Sequence, residues 1–125
     1  MARLEAQLTG MPAEPDAHRC IEDLAQALGE PCNWLDARNA ALAIHAGSLL
    51  LPIQVLLELK GRGQLGVLIS SREPLGRGAP LSQAVLEQVL AHLNRLIPGL
   101  AVSYRSDRDG PVEQVMSARG SEAAL

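Results

Sequence analysis

Alternating side chains in the middle of the chain constrain the fold more than any other feature. From Ile53 to Leu59 every second residue is Ile, Val or Leu, and the residues between them are mostly polar. This period of two predicts a β-strand over Leu49–Lys60 with one strongly apolar face. The glycine-flanked triplet 61–63 predicts a three-residue turn, and Gln64–Ser71 predicts the returning strand. Both halves are mostly apolar, which indicates a hairpin in a central position of a sheet.

Two amphipathic helices are predicted, one on each side of this hairpin. In Asp16–Leu28 the apolar residues recur three or four positions apart, Asp16 is the predicted N-cap, and Gly29 ends the helix. Ser82–Ile97 carries a longer apolar stripe behind Ser82, its predicted N-cap. This stripe consists of Val85, Leu86, Val89, Leu90, Leu93, Leu96 and Ile97. Such a stripe faces another element of the fold.

Three shorter segments complete a predicted α+β fold. Pro31–Leu35 and Ala40–His45 are apolar pieces separated by a polar turn, and Leu100–Arg105 alternates like an edge strand. Together with the hairpin, they predict an antiparallel sheet of about four or five strands, with the two main helices packed on one face.

The predicted single domain covers residues 16–118. Met1–Pro15 is interpreted as a flexible leader because a glycine and two prolines interrupt any regular element, and residues 119–125 are interpreted as a tail. Residues 111–118 suit a last helix or a last strand, and the sequence does not distinguish the two. A chain of 125 residues is long enough to bury one core without disulfides or metals.

Charge, hydropathy and cysteine content exclude several classes of protein. The net charge of −3 argues against binding driven by the phosphates of a nucleic acid. The longest uncharged stretch, Asn39–Leu57, is interrupted by Gly47 and Pro52, unlike a membrane-spanning helix, and no signal peptide is recognisable. Two cysteines do not make a disulfide framework. We therefore expect a cytoplasmic protein that binds neither nucleic acid nor membranes.

No catalytic, metal-binding or cofactor-binding constellation is recognisable in the sequence. His18, His45 and His92 have no carboxylate or cysteine spaced to orient them as bases or ligands. Cys20 and Cys32 lack the paired ligands of a structural zinc site and are interpreted as small buried apolar residues. We therefore expect a protein that is not an enzyme and that uses no metal and no cofactor.

Basic residues in predicted turns and loops are the candidate ligand- or partner-binding residues. Guanidinium groups bind carboxylates and phosphates through paired hydrogen bonds, so an anionic ligand or partner is one interpretation. Solvated loops of the same composition are the other. The candidates are Lys60, Arg62, Arg72, Arg77, Arg105 and Arg108.

Leucines add apolar surface beyond what one covered sheet face requires. They are Leu49, Leu50, Leu51 and Leu56. Either both sheet faces are covered within the chain, or one face is a surface for a dimer or another partner.

One stretch of the sequence resembles the second half of GAF domains. It comprises the strand Leu51–Leu59, the Gly-Val-Leu strand within Gly63–Ser71, the loop residues Pro74–Leu75 and the helix start Pro80–Leu90. The resemblance implies a regulatory or sensory module in bacterial signalling or transcription control. Because Ala40–Leu51 is shorter than the helices that line a typical GAF ligand pocket, it implies a protein partner and dimerisation. Whether a small molecule also binds stays open.

The order of elements also resembles the small acidic class I chaperones of type III secretion. These proteins begin with a helix, run three strands into a central helix and continue with two strands and a last helix. The strand Leu100–Arg105 fits this family better than it fits a GAF domain. The resemblance implies a homodimer that binds an extended effector segment through apolar patches. The leading prediction is thus a non-catalytic, homodimeric, GAF-like interaction module, with such a chaperone as the alternative.

Overall fold

Six antiparallel strands and two helices make up the described part of the protein. The structure, a computed structural model, describes residues 2–45, 51–73 and 79–107. The elements are β1 (Ala2–Thr9), α1 (Asp16–Leu28), β2 (Asn33–Trp34), β3 (Asn39–Ile44), β4 (Ile53–Gly61), β5 (Gln64–Ser71), α2 (Pro80–Leu96) and β6 (Ala101–Arg105). The sheet order is β2-β3-β4-β5-β1-β6, and every neighbouring pair is antiparallel. The predicted α+β class is confirmed, with six strands instead of four or five.

The core lies between one face of the sheet and both helices. Alternate residues of the strands point into it, so one row across the sheet runs from Ala40 through Leu57 and Val67 to Ala6. Removing a branched aliphatic side chain from water contributes about 1.5–3 kcal/mol. The helices cover this face with Ala17, Ile21, Leu24 and Ala25 of α1 and with Val85, Leu86, Val89, Leu90 and Leu93 of α2. The other sheet face carries charged side chains and the half-buried Leu56 and Leu68.

The interpretation of Met1–Pro15 as a flexible leader is wrong for most of its length. Ala2–Thr9 forms β1, which pairs with β5 on one side and with β6 on the other. Its inward positions, Ala2, Leu4, Ala6 and Leu8, alternate regularly with polar residues, but Leu4 and Leu8 are also four positions apart, as in a helix. Gly10, Pro12 and Pro15, which follow directly, favour an irregular segment, and the pairing with β5 and β6 identifies the strand.

The turn between β4 and β5 is tighter than predicted. Gly61 pairs with Gln64, so two residues connect the strands and not three. These residues, Arg62 and Gly63, have φ values of 56° and 76°. Two consecutive positive φ values are typical of a type I′ turn, whose twist matches that of the strands. The left-handed conformation costs an arginine about 1 kcal/mol relative to a glycine.

The second helix begins earlier and is less completely buried than predicted. Its first residue is Pro80, so Ser82 lies in the first turn and is not the N-cap. At its other end Leu96 is 39% exposed, and Ile97 follows the helix as its C-cap. For α1 the boundaries are confirmed, but Asp16 is the first helical residue and Pro15 is the N-cap.

Several predicted features lie outside the described residues. They are the last element at 111–118, the tail at 119–125, Arg77, Arg108, Leu49 and Leu50. Among the residues that are described, no helix has the length and apolar character needed to cross a membrane.

The position of β1 can be tested by placing a charge on each of its faces. We expect Leu8→Asp to lower the free energy of unfolding by about 3 kcal/mol or more, because a carboxylate would replace a leucine that is only 3% exposed and lies beside Leu65. Gln7→Asp, on the outer face of the same strand, is the control and should cost less than about 1 kcal/mol. Urea unfolding followed by circular dichroism measures both. Equal, small losses in the free energy of unfolding for the two variants would indicate that Ala2–Thr9 lies outside the core.

Candidate interaction sites

The structure separates the predicted basic residues onto different surfaces. Lys60 lies on the outer face of β4, where it lines a shallow concavity over Gly66, whereas Arg62 lies in the β4–β5 turn. Arg72 is exposed directly after β5, at the opposite end of that strand from the turn. Arg105 points to the helical side of the sheet and is buried. The residues therefore do not form one basic patch.

Arg105 is engaged in ion pairs that join β6 to α2. It extends the inner row of the sheet next to Ala6, whose small side chain leaves room for the guanidinium group. Its Nη2 donates to Asp107 at 2.8 Å and to Glu87 of α2 at 2.9 Å, and Gln83 of α2 donates to Asp107 at 3.2 Å. The hydrogen bonds that Arg105 donates to Asp107 raise the pKa of Arg105 despite its burial. Burial opposes ionisation of Asp107, but its bonds with Arg105 outweigh this and lower its pKa.

An apolar groove lies between α2 and β6, next to this network. We call it the α2–β6 groove; its volume is about 320 Å³. It is lined by Leu8, Glu87, Leu90, Ala91, Asn94, Leu100, Val102 and Arg105. Leu90 and Leu100 are nearly buried at its floor, whereas Val102 of β6 is 43% exposed. The groove is open along the outermost described strand of the sheet. The sequence did not reveal this groove because its lining combines Leu8 of β1 with residues of α2 and β6 much later in the chain.

A second cavity, the arginine cleft, lies where three loops meet at one end of the sheet. Its volume is about 450 Å³, and it is lined by the β1–α1 loop, the β4–β5 turn and Arg38 of the β2–β3 loop. Arg38 and Arg62 are its cations, Met11, Ala17 and Leu59 are its buried apolar residues, and Glu14 is its carboxylate. Arg62 was predicted as a binding residue, but Arg38 was not, because 24 positions separate the two in the sequence.

The predicted cap of α2 is replaced by a carboxylate from outside the helix. Glu73, only 4% exposed, accepts the backbone N–H groups of Leu81 and Ser82 at 2.8 and 2.6 Å. The Ser82 hydroxyl lies 2.7 Å from the same carboxylate and 2.6 Å from the Ser71 hydroxyl. Burial opposes ionisation of Glu73, but these hydrogen bonds lower its pKa overall. Its negative charge therefore stays at the positive end of the helix dipole.

The histidines and cysteines are dispersed over the described residues. His18 contacts Trp34, with ring centroids 4.8 Å apart, and its Nε2 lies 2.6 Å from the carbonyl oxygen of Ala37. Both cysteines are free and half-buried, and burial, followed by nearby acidic residues, raises the pKa of each thiol. Within residues 2–45, 51–73 and 79–107, no three His, Cys, Asp or Glu side chains are grouped so that they could hold a metal ion.

Comparison with known proteins does not test the resemblances to GAF domains and to type III secretion chaperones, which stay predictions. No family model matches the chain, and no curated protein matches it. Any functional interpretation therefore depends on the groove, the cleft and the residues that line them.

The Glu73 cap makes a pH-dependent prediction for stability. We expect Glu73→Gln to lower the free energy of unfolding at neutral pH by about 1–2 kcal/mol, because a neutral amide caps the helix less well. The pKa of Glu73 is lower in the folded protein than its ordinary value of 4.5. Its stabilising effect is therefore complete above pH 4.5 and is lost as the pH falls through the lowered pKa.

Urea unfolding of both proteins, from neutral pH to below pH 4.5, measures the difference between their free energies of unfolding. The wild type should approach Glu73→Gln as the pH falls. Glu58→Gln is the control, since Glu58 is exposed on the outer face of β4. A constant difference between wild type and Glu73→Gln at all pH values would contradict the assignment.

Proposed function

We propose that this protein is a non-catalytic interaction module that adds an extended segment of a protein partner to β6. The observation that carries the proposal is the apolar α2–β6 groove beside the outermost described strand. The GAF-like stretch of the sequence supports a regulatory role in bacterial signalling or transcription control. A cytoplasmic, homodimeric protein is part of the same proposal.

The backbone of β6 provides the first element of recognition. Within the described ranges β6 pairs only with β1, and the strand at the other sheet edge, β2, has just two residues. An edge strand of five residues presents peptide groups to which another extended chain can hydrogen-bond. Such bonds provide affinity without requiring a particular partner sequence.

The groove provides the second element, which is selectivity for apolar side chains. In an added strand, alternate side chains would point towards α2, as Val102 does, and would meet Leu90 and Leu100. Covering Val102 would remove an exposed apolar side chain from water. Glu87 and Asn94 at the groove margin favour polar residues flanking the apolar ones. The proposed partner segment is therefore extended, with apolar residues at every second position.

A dimeric type III secretion chaperone is the second candidate function. The observation that favours it is β6 itself, because a strand after the second helix is the part of the sequence that fits this family better. Such a chaperone also binds an extended segment, but two protomers wrap it.

The proposal can be tested with peptides selected from a random library displayed on phage. We expect selection against the wild-type protein to enrich peptides with alternating apolar residues, and these should slow hydrogen exchange of the amides at 101–105. Val102→Asp should weaken their binding about tenfold, because a carboxylate would face the apolar groove. Fluorescence anisotropy of labelled peptides measures the affinities.

Leu35→Asp is the matched control for this experiment. Leu35 is also an exposed aliphatic residue, 63% accessible, but it follows β2 at the opposite edge of the sheet. Peptide binding should be unchanged by this substitution. Selected peptides that bind both variants like wild type, or that leave exchange at 101–105 unchanged, would exclude β6 as the binding site.

Native mass spectrometry of the same complexes distinguishes the two candidate functions. Strand addition to each β6 predicts one peptide per protomer, because every protomer has its own groove. A wrapped chaperone substrate predicts one long segment for two protomers, and this stoichiometry should persist when the segment is lengthened.

A further inference from the structure

We infer that the arginine cleft binds a small organic monocarboxylate with an apolar body. This site is separate from the α2–β6 groove, and the inference does not depend on the proposed interaction with a protein segment. It combines two arginines, an apolar floor and a volume of about 450 Å³. Cavities that hold small ligands are of this size, mostly apolar, with a few convergent polar groups.

Hydrogen bonds between the three loops hold the walls of the cleft together. The carbonyl oxygen of Gly63 accepts the N–H groups of Gly10 and Met11 at 2.9 and 3.0 Å, which joins the β4–β5 turn to the β1–α1 loop. Leu59 donates its N–H to the carbonyl oxygen of Arg38 at 2.8 Å, which joins the β2–β3 loop to β4. The cleft therefore exists before any ligand binds, so binding does not require the loops to become ordered.

The β2–β3 loop is also fixed from within, which positions Arg38. The carboxylate of Asp36 accepts the backbone N–H groups of Arg38 and Asn39 at 2.8 and 2.9 Å, and these bonds lower its pKa. Nη1 of Arg38 lies 3.5 Å from the carbonyl oxygen of Leu59. Within the described ranges, neither Arg38 nor Arg62 forms an ion pair.

The backbone conformation at Arg62 indicates that the turn itself does not require an arginine at this position. With φ at 56°, this position favours glycine, and any other L-residue there is strained. Backbone strain of this kind clusters at functional sites, although Ala79 has a similar φ of 48°. Lining the cleft is the only role for the Arg62 side chain among the described contacts.

The charges of the lining select the class of ligand. Two guanidinium groups attract an oxyanion and can bind a carboxylate through paired hydrogen bonds. Glu14 in the same lining repels a second negative charge, which disfavours dianions such as phosphate monoesters. Met11, Ala17 and Leu59 then require an apolar body next to the carboxylate.

The test uses hexanoate as the probe, with hexan-1-ol and hexylamine as matched molecules that lack the negative charge. Nuclear magnetic resonance of ¹⁵N-labelled full-length protein follows the amides of Met11, Arg62 and Gly63. Hexanoate should shift these amides in a saturable way and bind about tenfold more tightly than the other two compounds, since a charge-assisted hydrogen bond is lost in each.

Two substitutions complete the experiment. Arg62→Gly keeps the type I′ turn and should reduce hexanoate affinity about tenfold without lowering the melting temperature. Arg72→Gln removes the same charge at the other end of β5 and should leave affinity unchanged. The inference is overturned if hexan-1-ol binds as well as hexanoate, if Arg62→Gly binds like wild type, or if no amide of the cleft shifts.

Discussion

The pairing of β1 on both of its edges is the interaction on which the rest of the structure depends. Among the described strands β6 pairs only with β1, so the α2–β6 groove exists because β1 separates β5 from β6. At the end of β1, Gly10 approaches Gly99 so closely that a Cβ there would lie 2.9 Å from the Gly99 oxygen. The same loop holds the β4–β5 turn through the carbonyl oxygen of Gly63. One strand thus positions both proposed binding sites.

Two buried polar networks, one around Arg105 and one around Glu73, orient α2 against this sheet. They fix the position of the helix more than they add to the free energy of unfolding. The side chains of Arg105 and Asp107 are 10% and 7% exposed, so their attraction is largely offset by the cost of removing both from water. Glu73 differs, because it satisfies N–H groups that the start of any helix leaves without partners. Together the networks attach the N-terminal half of α2, at residues 81–87, to the ends of β5 and β6.

Elements whose apolar residues fit a single period could be predicted from the sequence, and features that depend on contacts between distant segments could not. The boundaries of α1 and β5 are confirmed because branched aliphatic residues recur at the period of a helix or a strand. β1 was missed because Leu4 and Leu8 fit the spacing of a helix as well as that of a strand, and Gly10, Pro12 and Pro15 follow them. Ser82 looked like a cap because Ser precedes an apolar stripe, but a carboxylate nine positions earlier in the chain takes that role. Of the two arginines that line the arginine cleft, Arg62 was predicted as a binding residue and Arg38 was not.

The sequence by itself determined the α+β class, the β4–β5 hairpin and the amphipathic character of both helices, because these follow from local periodicity and turn residues. Only the tertiary structure decided that the N-terminal segment is a sheet strand, that Arg105 is engaged in ion pairs inside the protein, and that Arg38 and Arg62 share a cavity. The physical reason is the same in each case. Burial, charge pairing and cavity lining are relations between segments far apart in the chain, and residue spacing does not record them.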